Sequence, residues 1–337
     1  MNTPHAKEKG EPRKQDFSLS HKRITILIPA YNEAENIPLL IDQLDNLIDN
    51  NNDRVDLKKY SWEYLFVNDG SKDNTLDVLN ACRKNNLRVN ILDLSRNFGK
   101  ENAMLAGMDF ICSDATIIMD ADLQDPVEVI PEMVYQWEHG YDDVYGRRKS
   151  RGKESWLRKR LSLMFYSLLQ NSTQIEILQN VGDFRLLDQR VVKSIRSMRE
   201  TQRYTKGLFS WVGYNKKEIA FDREDRAEGK SSFNFKRLFN LAVEGITSFT
   251  TSPLRISSII GFILSFFSLI YIIKVLIKTL IWGEPVSGFP TLICVILLLG
   301  GFQLIALGII GEYIARIFNE TKQRPPYIAS SYNGEKV

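Results

Sequence analysis

The chain has 337 residues, with 44 Lys+Arg against 41 Asp+Glu and a formal charge of +3. A balance that close excludes a polybasic nucleic-acid arm or an acidic tail as the main theme, and 44% hydrophobic against 25% charged residues excludes a disordered chain. Its three cysteines, Cys82, Cys112 and Cys294, stand far apart with no CxxC or Cys/His cluster, which argues against a disulfide framework or a structural zinc site.

In chain order, residues 1–22 are polar and lack the apolar run of a secretory signal, so a flexible tail is expected. From Arg23 to about Arg147, short apolar runs alternate with amphipathic segments. Strands are expected at Ile24–Ala30, Trp62–Asn68, Val89–Ser95 and Ala115–Asp120. Helices are expected at Ala34–Asp49, about Asp73–Asn85 and about Lys100–Ile111. This alternation indicates βαβ units and a mostly parallel sheet, in which ligands bind beyond the carboxyl ends of the strands.

Arg147 to Leu169 begins basic and turns apolar, the pattern of an interfacial amphipathic helix at about 153–170 that meets anionic headgroups with its cations. An ordinary domain helix with a solvated basic face is the plainer alternative. Ile256–Ile273 and Phe289–Gly311 carry no charged residue over 18 and 23 positions. A helix needs about 20 residues to cross a bilayer, so two transmembrane helices within 256–313, joined by a turn bearing Gly283, Pro285, Gly288 and Pro290, form an expected hairpin. Arg255 before it and Arg316, Lys322 and Arg324 after it place both ends in the cytoplasm. Gly300, Gly301 and Gly308 permit close helix packing, either within the hairpin or in a homo-oligomer.

Asp120-Ala121-Asp122 ends the fourth strand. Residues i and i+2 of an extended chain point the same way, and two like charges side by side call for a hard divalent cation shared with phosphate oxygens. Asp125, Pro126 and Glu128 read as an N-cap, N1 proline and capping box, so Asp125 is assigned to structure. Tyr31 offers an aromatic face to a base. Asp69 could accept from a base or ribose, although Asn68-Asp69-Gly70-Ser71 is also plain turn chemistry. Lys100 and the helix start behind it could hold a phosphate. The GxGxxG of a dinucleotide fold is absent, and Glu224 spoils the P-loop that Gly229-Lys230-Ser231 mimics.

PAYNE (Pro29–Glu33), NDGS, RNFGK, DADLQDP, VGDFRLLD (Val181–Asp188), RAEGKSS and the apolar hairpin together resemble glycosyltransferase family 2, in its polyprenyl-phosphate branch of bactoprenol glucosyltransferases and, more distantly, dolichol-phosphate mannose synthases. The likeness runs from about Ile24 to Tyr327. It implies a Rossmann-like α/β GT-A catalytic domain over 23–235, a juxtamembrane linker helix at 236–255 and a cytoplasmic tail at 314–337.

The resemblance also implies roles. Pro29, Tyr31, Glu33 and Asp69 would hold the base and ribose of a nucleotide-diphosphate sugar. Lys100 would lie near it, and Asp120, Ala121, Asp122 and Gln124 would surround its diphosphate and a Mg2+ or Mn2+ ion. Arg147, Asp183 and Arg185 would sit at the reacting centre. Arg147, Arg158, Arg160, Arg226, Gly229 and Ser231 would receive the phosphate of the acceptor. Where some relatives have GESKY, this chain has GKSSF, which leaves open which side chain makes the lysine contact. The implied reaction is inverting transfer of a hexose from a nucleotide sugar to undecaprenyl phosphate at the bacterial inner membrane, with UDP-glucose the favoured donor. The implied partners are membrane lipids, a separate flippase and a downstream transferase, and no nucleic acid. A phosphate nucleophile is already ionised, so Asp183 either takes a residual proton or orients Arg185 or the sugar. A processive polysaccharide synthase would want QxxRW, where this chain has Gln202-Arg203-Tyr204, and more spans. A non-catalytic nucleotide-sugar-binding scaffold would tolerate loss of the paired carboxylates, which are present.

Overall fold

The computed structural model describes residues 22–50, 55–148, 181–201, 203, 205–221 and 288–337, with scattered positions from 259 to 281. The expected tail before Lys22, the interfacial helix, the linker at 236–255 and the hairpin turn up to residue 287 lie outside the described residues.

The four expected strands form the parallel centre of the sheet. β1 (Arg23–Ala30) pairs in parallel with both β2 (Ser61–Asn68) and β4 (Ala115–Ile118), and β2 pairs in parallel with β3 (Val89–Leu94). The chain therefore runs from β1 outward to β3 and then returns to the other side of β1. The switch point falls between β1 and β4, where open α/β sheets bind their ligands.

Five further strands were not expected. β5 (Asp143–Arg148) and β6 (Val181–Asp188) extend the sheet beyond β4, with β6 antiparallel to both, and β7 (Lys216–Phe221) runs parallel to β5. At the opposite edge β8 (Ala329–Tyr332) pairs antiparallel with β3, and β9 (Glu335–Lys336) pairs antiparallel with β8. The whole order is β7-β5-β6-β4-β1-β2-β3-β8-β9.

Alternation along the strands builds two cores. Ile24, Ile26 and Ile28 point to one face, where α1 (Asn36–Asp49), α2 (Thr75–Asn85) and α4 (Ile130–Glu138) pack. The α1 residues Ile37, Leu40, Ile41, Leu44 and Ile48 recur at helical spacing and are buried. At about 1.5–3 kcal/mol per buried aliphatic side chain, this stripe outweighs the missing side-chain cap at Glu35. Leu27, Leu65 and Val67 face the other core, against α3 (Lys100–Phe110), α5 (Gln189–Ser197) and α6 (Thr205–Trp211). α3 lies so close to the sheet that a Cβ on Gly107 would come 2.1 Å from Leu27 Cδ1.

α7 (Phe289–Thr321) is 33 residues long, and its segment Leu298–Thr321 is long and apolar enough to cross a membrane, with none of it buried. Every described position between 259 and 281 is also helical and exposed, among them Ile263 and Phe267. The helix runs on past residue 313, the bound expected for the spans. It continues through the Glu312–Arg316 ion pair (3.3 Å), whose i, i+4 spacing favours helix. The residues after the helix include two short strands, β8 and β9. Asn333 and Gly334, both at positive φ, turn β8 into β9, and Phe110 stacks on Tyr332.

Candidate active site

The carboxyl ends of β1 to β4 open into a crevice of about 290 Å³ lined by Pro29, Ala30, Tyr31, Glu33, Asp69, Asn97, Gly99, Lys100, Asp120, Ala121 and Asp122. All the residues expected at the base and ribose, Lys100 and the two acids are thus brought together at the β1/β4 switch point.

Interlocking loops hold them there. The Asn32 amide donates to Ser71 Oγ (3.0 Å), the Lys72 amide donates to Asn32 Oδ1 (2.8 Å), and the Glu33 amide donates to Thr75 Oγ1 (3.0 Å). Asp69, 3% exposed, accepts from the amides of Phe98 (2.7 Å) and Gly99 (2.9 Å). It therefore sets the loop in front of α3 as well as lining the crevice. Burial raises its pKa even though those two amides stabilise its charge.

β4 ends at Ile118, so Asp120-Ala121-Asp122 is a turn and not the end of an extended strand. The sharing of a direction by i and i+2 gives way to turn geometry. Leu123 takes φ 59, a left-handed conformation that is costly for leucine, and Asp122 Oδ1 accepts from the Gln124 amide at 3.2 Å. Asp125 is structural, as expected, but not as a helix cap. α4 starts at Ile130 behind a short 3-10 turn, and Asp125 Oδ2 instead accepts from the Asp120 amide at 3.1 Å. Burial, with the Asp120 charge behind it, pushes the Asp125 carboxyl up to about 6.

Five acids share this region. Glu33 is raised by burial and by the charges of Asp122 and Asp120. Lys100 Nζ lies 2.5 Å from Asp120 Oδ1 and 2.6 Å from Asp183 Oδ2. Burial opposes its charge, but the two carboxylates outweigh burial and keep its pKa above the usual lysine value. Burial likewise opposes the Asp183 charge, but Lys100, Lys206 and Arg185 together outweigh it, so Asp183 stays below the usual carboxylate range.

Asp183 Oδ1 and Gln124 Oε1 are among the buried acceptors that have no protein donor. Among the described residues no three Asp, Glu, His or Cys side chains gather closely enough to hold a metal ion unaided. Two carboxylates and an amide oxygen nevertheless suit a hard divalent cation that takes its remaining ligands from phosphate.

Arg147 and Arg185 are not at the crevice wall. Arg147 pairs with Glu218 of β7 at 3.0 Å. Arg185 is 1% exposed, pairs with Asp143 at 3.1 Å and stacks over the Phe209 ring at 3.7 Å. Arg158, Arg160, Arg226, Gly229 and Ser231 lie outside the described residues.

Sequence reasoning missed Arg148. A Cβ on Gly182 would stand 3.6 Å from its Nη2, and its charge favours the ionised form of Asp125. Neighbouring strand residues take opposite faces, and the ladder slips between Tyr145 and Arg147. The pair Arg147-Arg148 alone could not reveal which side chain turns toward the acids. Asn97 was also missed, and only its place in RNFGK, beside Lys100, pointed to it.

Residues 25–196 match Glycosyl transferase family 2. The chain belongs to glycosyltransferase family 2. It is 44% identical over 311 residues to an uncharacterized glycosyltransferase of Synechocystis sp., covering 92% of this chain and 96% of that one. It is 41% identical over 309 residues to the bactoprenol glucosyl transferase of Shigella phage SfX, covering 92% and 99%. Among solved structures it is similar to a mannosyltransferase from Pyrobaculum calidifontis in complex with GDP-Man and Mn2+, at TM-score 0.43 and 15% identity, covering 63% and 59%. The family 2 segment contains every residue lining the crevice, and the protein is a glycosyltransferase enzyme.

Proposed function

We propose that this glycosyltransferase moves one hexose, glucose from UDP-glucose, to undecaprenyl phosphate with inversion at the anomeric carbon. The observation that carries this reading is the meeting of Asp120 and Asp122 with Lys100 at the β1/β4 switch point. The acceptor class is supported by the relative named bactoprenol glucosyl transferase, which the chain matches over 99% of its length.

Pro29, Tyr31, Glu33 and Asp69 take the base and ribose. Asp120, Asp122 and the unpartnered Gln124 Oε1 would hold a divalent cation, Mg2+ or Mn2+, for the diphosphate. Such a cation supplies Lewis-acid stabilisation of the leaving group. Lys100 neutralises part of the same charge. Asp183 Oδ1, buried without a donor, accepts from a hydroxyl of the bound sugar and so orients it. Arg185 sits behind it and helps keep Asp183 anionic. Arg158, Arg160, Arg226, Gly229 and Ser231 would receive the acceptor phosphate, with Arg147 joining them on leaving Glu218.

The catalytic domain spans 23–235, with the interfacial helix at 153–170 laying the crevice at the headgroup plane. The spans within 256–313 anchor it to the bacterial inner membrane with both termini cytoplasmic. The product is a lipid-linked sugar for a flippase and a downstream transferase. Full-length protein in detergent, given radiolabelled UDP-glucose and undecaprenyl phosphate, should move label into the organic phase. UDP-galactose, UDP-N-acetylglucosamine and GDP-mannose serve as competing donors. Transfer should stop in Asp122→Ala and in EDTA, and return with Mg2+ or Mn2+. No transfer to the lipid from any of these donors would overturn the reading.

A further inference from the structure

The strongest unexplained arrangement in the molecule is a lysine placed on the carboxylates that a metal would need. Lys100 opens α3, and its ammonium bridges Asp120 of the β4 turn and Asp183 of β6, at 2.5 Å and 2.6 Å. The bridge ties the turn after β4 to β6, which lie 63 residues apart at Asp120 and Asp183. Around it stand Glu33, Asp122 and Asp125, and Glu33 and Asp125 are both raised in part by the charges of Asp120 and Asp122. Lys100 is the cation that touches both Asp120 and Asp183, with Arg148 adding to the field at Asp125 and Lys206 and Arg185 adding to it at Asp183.

Given the Asp120–Asp122 turn as the metal and diphosphate site, we propose that Lys100 is the site's resident counter-cation. It occupies Asp120 until the donor arrives and so makes entry of the divalent ion conditional on the nucleotide diphosphate. An ammonium and a divalent ion cannot both sit at full strength on one carboxylate oxygen. In the free protein Lys100 is already there, with Asp183 holding it from the other side. A diphosphate changes the balance because it offers new anionic oxygens. Lysine has three donors on a flexible four-carbon stem, so Lys100 can turn from Asp120 to a phosphate oxygen while keeping Asp183. Asp120 would then be available to hold the divalent ion together with the oxygens of that diphosphate. Donor and metal bind as a pair, and each raises the affinity for the other by the same factor. Lys100 is in this respect a positioning residue, acting through Asp120.

Binding of Mn2+ to the full-length protein in detergent tests this directly. The free-ion paramagnetic resonance signal is titrated for wild type, Lys100→Met and Lys100→Arg, without nucleotide and with UDP, with GDP in a parallel arm. Wild type and Lys100→Arg should bind Mn2+ about tenfold more tightly with the nucleotide than without it. Lys100→Met should bind Mn2+ alone about tenfold more tightly than wild type and lose most of the nucleotide dependence. A melting scan accompanies each titration, and Lys100→Gln replaces Lys100→Met if the latter melts early. The proposal is overturned if the neutral variant binds Mn2+ alone no better than wild type, or if wild type binds it equally with and without nucleotide. A different outcome strikes the donor reading itself: no Mn2+ uptake by wild type in any arm, with sugar transfer that ignores EDTA.

Discussion

Arg185 and Asp143 form an ion pair at 3.1 Å across β6 and β5, with 2% and 0% of their side chains exposed. Burial raises the Asp143 pKa despite that partner. Removing one member of such a pair strands the other charge away from water, at a cost of about 3–5 kcal/mol. Arg185→Ala should therefore lower the melting temperature markedly, and the double variant Arg185→Met/Asp143→Leu should recover much of it. Activity lost in Arg185→Ala at an unchanged melting temperature would instead mean that Arg185 acts on the substrate.

Gly70 sits at φ 61, and a Cβ there would come 2.3 Å from the Arg96 carbonyl carbon and 2.5 Å from the Asn97 nitrogen. Nothing at that contact is a flexible side-chain end, so Gly70→Ala must push the β2 and β3 loops apart. The expected stability loss is about 1–3 kcal/mol. Because Asp69 and Asn97 line the crevice on either side of this contact, donor KM should rise more than kcat falls. A variant with wild-type donor KM would show that the two loops are not coupled to donor binding.

Asp125 has its carboxyl raised to about 6 by burial first and by Asp120 second, against 3.8 unperturbed. The sign follows from proton counts. Between about pH 4 and 6 the folded protein holds a proton that the unfolded chain has lost, so stability from this group falls as pH rises through that window. Asn at this position still accepts from the Asp120 amide and never ionises. Asp125→Asn should melt like wild type near pH 4 and higher than wild type above pH 7, by the equivalent of at most about 3 kcal/mol. Equal melting curves for the two proteins at pH 7.5 would refute this.

The strand after the long apolar helix is tied to the catalytic sheet. Tyr327 OH donates to Asp109 Oδ2 at 2.6 Å, Arg199 grips the same carboxylate at 2.6 and 2.8 Å, and Glu320 accepts from the Thr201 amide at 2.8 Å. Truncation after Gln323 removes β8 and β9 and bares the edge of β3, whose end leads to Lys100. The truncated protein should still enter the membrane fraction but aggregate more readily, as an exposed edge strand does, and lose most of its transfer activity. Wild-type activity and dispersity in size-exclusion chromatography would rule out a structural role for the hairpin.

Periodicity and turn chemistry alone located β1 to β4 and α1 to α3 to within a few residues, because each buries a local apolar pattern that needs no partner to be recognised. The motifs at their ends, PAYNE, NDGS, RNFGK and DADLQ, were likewise legible as one crevice, since parallel strands deliver their carboxyl ends to the same side. What lay beyond that reach depends on contacts between segments far apart in sequence. β6 is long and mixed in character, and only pairing with β4 and β5 makes it a strand. The strands of the β8–β9 hairpin are four and two residues long and need the β3 edge. Arg185 reads like a site residue until Asp143, Phe209 and Tyr145 enclose it. The bridge from Lys100 to Asp120 and Asp183 joins positions 20 and 83 residues away along the chain, and Coulomb attraction at 2.5 Å exists only once the sheet has brought them together.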